Sequence, residues 1–182
     1  MITARRLTTL GVTIVALLGF GAVPPASAFA PVNSPVRAAG PMTFAQQRPA
    51  FSAVARCSNE FSGRVTADRG TGRGGEARID RISFANCDSG LAVTPRALPW
   101  ALALDSSRTI TLRNVDIDVR TSRGTCRFTG DLLNGFFDNT LGLYNISGVL
   151  HRRSAGCGVG DTLGLDTGFQ ELILVNGTGL TL

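Results

Sequence analysis

The sequence predicts an all-β domain, an antiparallel sandwich or barrel, on three observations. Bulky apolar residues recur with period two, Gly and Asn interrupt them at short intervals, and helix signals are nearly absent beyond residue 28. Four cysteines, an even number, add two expected disulfide staples.

In chain order, Arg5 and Arg6, an apolar run from about Leu10 to Val23, and Ala26-Ser27-Ala28 form the three zones of a secretory signal peptide, residues 1–28, cleaved after Ala28. The run of about 14 residues falls short of the ~20 that cross a bilayer. Residues 29–50 read as an extended or flexible lead-in, because Pro31, Pro35, Pro41 and Pro49 interrupt a hydrogen-bonded ladder. Residues 51–182 then form one β-domain, long enough for its own core.

Within that domain, Ser52–Arg56 and Phe61–Ala67 are the first expected strands. Trp100, Leu102 and Leu104 alternate with Ala101 and Ala103, so bulky side chains take one face and small ones the other. Ile110 and Leu112 share a phase, whereas Val115, Ile117 and Val119 take the opposite one. The switch at Arg113-Asn114 predicts a bulge or a strand crossing between packed sheets, and a second switch falls between Ile79 and Ile82. Thr125–Leu132, Leu141–Leu150, and Glu171–Val175 paired with Thr178–Leu182 complete the strand set. Asn134-Gly135 and Asn176-Gly177 are read as hairpin turns.

Cys57, Cys87, Cys126 and Cys157 allow three pairings. The spacings of 30 (87 − 57) and 31 (157 − 126) favour Cys57 with Cys87 and Cys126 with Cys157. Each loop of that size contributes about 3–4 kcal/mol through the unfolded chain. The segments after Cys57 (Phe61-Ser62-Gly63) and after Cys126 (Phe128-Thr129-Gly130) echo each other, which suggests two similar disulfide-closed units. Zinc binding needs close C-x-x-C pairs, and there are none.

Charge excludes one partner class. Removing Arg5 and Arg6 lowers the net charge from +5 to +3, with 16 arginines against 13 carboxylates, too balanced for a nucleic-acid surface.

Several motifs match chemistry on paper. Gly70-Thr71-Gly72-Arg73-Gly74-Gly75 fits G-x-G-x-x-G, but a phosphate cradle needs a helix to follow, and Glu76–Phe84 reads as a strand. Leu165-Asp166-Thr167-Gly168 resembles an aspartic-protease triplet, yet it occurs once and only 14 residues follow it (182 − 168). His151, the only histidine, sits beside Arg152 and Arg153, which disfavour an imidazolium. Asp116 and Asp118 lie two apart on one strand, about 7 Å, a separation at which carboxylate pairs hydrolyse glycosides. Asp161 and Asp166 flank no loop with calcium spacing. Trp100 and Tyr144 are single residues of their kinds, too few for a stacking platform.

Phe84-Ala85-Asn86-Cys87, Leu98-Pro99-Trp100, Cys126-Arg127-Phe128-Thr129-Gly130, and Cys157 with Gly160-Asp161 resemble uncharacterised secreted β-proteins common in actinobacteria. The resemblance covers roughly Cys57 to the C terminus. It implies an exported, disulfide-bonded β-fold and transfers no activity and no site.

The expected function is therefore a non-catalytic, exported β-domain, extracellular or loosely held at the envelope. It would have a binding or structural role toward an envelope component or a small ligand, with no cofactor, no metal, no nucleic acid and no membrane span in the mature chain. The alternatives are a secreted hydrolase using Asp116, Asp118 or Asp161, and a small-ligand carrier with a deep apolar cleft. Mature protein is expected to begin at Phe29 by mass spectrometry and to give no free thiol with a denaturing, non-reducing reagent; four reactive thiols would overturn the reading.

Overall fold

The computed structural model describes residues 31–48, 51–70, 73–138, 141–155, 157 and 160–174. Eleven strands run in sequence: β1 (Pro35–Arg48), β2 (Phe51–Asp68), β3 (Gly74–Ala85), β4 (Ala92–Pro95), β5 (Trp100–Asp105), β6 (Ile110–Thr121), β7 (Gly124–Leu132), β8 (Asn134–Asp138), β9 (Leu143–Arg152), β10 (Thr162–Asp166) and β11 (Gln170–Leu174). Every pairing is antiparallel.

The pairings close a ring with eight strand positions. β4 and β5 both lie along one edge of β6, β7 and β8 along one edge of β9, and β10 and β11 between β9 and β1. Each of these pairs is one barrel strand with an interruption, at Arg96–Pro99, at Leu133 and at Thr167–Phe169. β1 pairs with β2 on one side and with β10 and β11 on the other, which closes the ring. The fold is an up-and-down barrel, one of the two all-β architectures that the alternation predicts.

Residues 35–48 correct the lead-in expectation: they are extended, but as β1, a full member of the ring. The prolines fit for local reasons. Pro35 is the first residue of the strand. Pro41 falls between the β11 and β10 registers on β1, where the neighbouring strand is broken and no backbone donor is needed; the Gln170 side chain occupies that gap and donates to the Pro41 carbonyl at 2.7 Å. The two first expected strands likewise merge into β2.

Both phase switches are bulges. On β6, Leu112 opposes Leu132 and Val115 opposes Gly130, which leaves one extra residue, and Asn114 takes φ 60° there. On β3, Arg81 opposes Ser62 and Ile79 opposes Gly63, so Asp80 is the extra residue. Ile79, Ile82, Val115, Ile117 and Val119 all point into the core as a result. A strand crossing between two sheets is not needed.

Asn134-Gly135 is not a hairpin turn. β7 continues through Leu133 into β8, and Gly135 is required for close approach, since a Cβ there would lie 2.1 Å from the Ile110 carbonyl oxygen. The Asn176-Gly177 hairpin lies outside the described residues.

Cys57–Cys87 ties β2 to the end of β3, and Cys126–Cys157 ties β7 to the segment after β9. In ring order these links join positions two with three and six with seven, on opposite sides of the barrel and at the same end. The first loop encloses β2 and β3, the second β7, β8 and β9. Trp100, Phe128, Phe137 and Tyr144 fill the interior together with apolar side chains from every position.

Gly63 faces the β3 bulge so closely that an added Cβ would sit 1.8 Å from the Arg78 carbonyl oxygen. Gly63→Ala is expected to destabilise the fold by about 1–3 kcal/mol in urea unfolding; an unchanged midpoint would show that the bulge relaxes freely.

Candidate functional site

The hydrolase candidates are not assembled into a catalytic pair. Asp116 is buried on the outer wall beneath Arg127, which donates to it through Nε at 2.9 Å and a second nitrogen at 2.5 Å. Those hydrogen bonds to Asp116 hold the Arg127 guanidinium above its ordinary pKa. Asp118 accepts from Arg96 at 2.6 Å. Each carboxylate is thus held by its own arginine, and the two are not turned toward each other as a pair. Asp161 pairs with Arg152 at the surface. His151 stands exposed on β9, opposite Thr162 and Thr129. No group of three His, Cys, Asp or Glu among the described residues has metal-site geometry.

The other motifs have structural roles. The Gly70 loop joins β2 to β3, with the Arg69 amide donating to Gly74 O and the Gly70 amide to the Asp68 side chain. A strand, not a helix, leaves it. Asp166-Thr167-Gly168 is the interruption between β10 and β11: Asp166 Oδ1 accepts from the Gly168 amide at 2.7 Å, and Thr167 Oγ1 accepts from the Ile146 amide at 2.9 Å. Trp100 is buried and donates to the Arg96 carbonyl at 3.1 Å.

That same interruption admits the barrel's internal polar network. Tyr144 donates to Gln170 Oε1 at 2.8 Å, and Gln170 Nε2 donates to the carbonyls of Thr167 and Pro41, each at 2.7 Å. Asn59 donates to the Gly40 carbonyl at 2.9 Å nearby in the ladder. Burial pushes the Tyr144 phenol far above its ordinary pKa, so it remains a neutral donor. Tyr144 and Gln170 satisfy each other, whereas Asn59 Oδ1 is buried without a hydrogen-bond partner among the described residues, and Asn59 borders a cleft of about 790 Å³ together with Gly40 and Pro41.

The outer wall formed by β8, β9, β10 and β11 is different in kind. Leu133, Phe136, Leu141, Val149 and Phe169 are exposed there, with Phe169 at 68% and Leu141 at 62%. Phe136 opposes Asn145, and Phe169 directly precedes Gln170, which opposes Tyr144. The two rings therefore flank Asn145 on neighbouring strand positions. Residues 133–150 and 154–174 contain no arginine, so all 16 arginines after residue 28 lie elsewhere. Their absence is the signal in the sequence that marks this wall, and periodicity does not reveal it.

The chain is thus a closed antiparallel barrel with two disulfides and a filled core. The family follows: the chain belongs to the PraA/PraB-like family, described as alkane oxidation protein activators, and the match covers residues 1–170. No curated protein and no solved structure matches it.

Tyr144→Phe removes the donor that satisfies Gln170 Oε1 in the core. A loss of about 1–2 kcal/mol is expected in chemical unfolding; no change would mean that Gln170 finds another donor.

Proposed function

We propose that this protein is an exported, non-catalytic accessory factor that promotes alkane oxidation by presenting its β8–β11 wall to hydrocarbon outside the cytoplasm. The observation that carries the reading is the run of exposed Phe and Leu side chains on an arginine-free face. Family membership supports the activator role and its alkane connection. The two disulfides are consistent with an oxidising compartment.

Physical chemistry explains why a rigid barrel suits this task. The interior is already filled, so Phe136 and Phe169 cannot turn inward to escape water. Full burial of such a side chain is worth about 1.5–3 kcal/mol, and a half-exposed one gains roughly half as much on contact with oil. Five residues give a modest total, which favours reversible adsorption at an oil surface. An arginine would have to shed its hydration at contact, and residues 133–150 and 154–174 contain none. The carrier alternative draws no support from the interior, where the described positions are occupied by side chains.

The test is depletion of purified mature protein from water by dodecane droplets, alongside alkane consumption by washed cells given the protein. Phe136→Ser with Phe169→Ser is expected to lower adsorption at least ~10-fold and to abolish the stimulation, with an unchanged circular dichroism spectrum. Undiminished adsorption, or alkane turnover by the pure protein, would sink the proposal.

A further inference from the structure

Across four neighbouring strands, on the side of the ring facing away from the apolar wall, three arginines stand in one row. Arg64 on β2 opposes Arg78 on β3, Arg78 opposes Ala101 on β5, and Ala101 opposes Arg113 on β6. All four residues are exposed. Like charges placed directly opposite each other across strands are destabilising, so the arrangement calls for a physical reason.

Two bulges build the row. Asp80 is the extra residue of the β3 bulge, which re-aims its carboxylate between two guanidiniums: Arg78 Nε lies 3.0 Å from one oxygen and Arg64 Nε 3.3 Å from the other. One carboxylate thus serves two arginines. Arg113 adjoins the β6 bulge at Asn114 and has no carboxylate partner among the described residues. Between Arg78 and Arg113 the chain places only Ala101, followed by Ala103. This leaves a groove of about 380 Å³ above the two alanines, with Arg78 and Arg113 along the row and the carboxylates of Glu76, paired with Arg69, and Asp105 at its other end. The row spans three strand spacings, about 14 Å, and carries one carboxylate for three fixed positive charges.

We infer that this row docks the barrel onto an anionic lipid surface through its phosphate headgroups. Guanidinium forks match phosphate oxygens two at a time. Charges spread over about 14 Å fit several laterally spaced phosphates better than one free anion. Position four of an eight-position ring lies opposite position eight, where Phe169 projects. With the hydrocarbon reading of that wall, on which this consequence rests, the barrel holds oil on one side and the envelope on the other.

The experiment is co-sedimentation of the mature protein with phosphatidylglycerol vesicles, with phosphatidylcholine vesicles and inorganic phosphate as separate arms. Binding to phosphatidylglycerol is expected, weakening as salt rises. Arg78→Gln with Arg113→Gln should weaken it roughly 30-fold, at about a fivefold loss per arginine. The pair Arg120→Gln with Arg123→Gln, at the β6–β7 turn, removes the same charge and should leave most of the affinity. Thermal midpoints verify that each variant is folded. Equal loss in both pairs, equal binding to phosphatidylcholine, displacement by inorganic phosphate at matched concentration, or no vesicle binding would each overturn the inference. Dodecane adsorption of the Arg78/Arg113 variant is expected to match wild type, so failure here is separable from failure of the hydrocarbon reading.

Discussion

β1 bonds to β2 along one edge and to β10 and β11 along the other, and this double pairing makes a barrel of what would otherwise be an open, twisted sheet. Closure sets the interior volume. An eight-position ring encloses a space that side chains can fill, and here Trp100, Phe128, Phe137 and Tyr144 fill much of it.

Interruptions reconcile closure with the sequence. The break at Thr167–Phe169 falls beside Pro41, so the proline's missing donor and the missing partner coincide, and Gln170 bonds across the gap. The bulges at Asp80 and Asn114 change side-chain phase within a strand, keeping Ile79 and Ile82, and Leu112 and Val115, all inside. They also determine what stands outside, above all the carboxylate between Arg64 and Arg78. Local irregularity is thus how one backbone serves both a core and a patterned exterior.

That exterior is divided by charge. Arginines occur on β1, β2, β3, β6 and β7, in the loops between them and at the end of β9, whereas residues 133–150 and 154–174 combine exposed Phe and Leu with carboxylates such as Asp166 and contain no arginine. Asp116 and Asp118, the pair best spaced for acid–base chemistry, are each held by an arginine on the charged side. The family to which the chain belongs is described as alkane oxidation protein activators, an accessory role.

The sequence alone determined the local features. Alternation at Trp100–Leu104, the two phase switches, the strand leaving the Gly70 loop and the preferred cysteine pairing were all legible, because side-chain phase is a period-two property of the backbone and needs only neighbouring residues. Tertiary structure decided the rest. Pro35–Arg48 looks like a linker until β10 and β11 arrive from about 130 residues away to pair with it. Asn134-Gly135 looks like a turn until Ile110 packs against the glycine. The arginine row and the apolar wall exist only across strands, since register, which no single strand encodes, decides which exposed residues become neighbours.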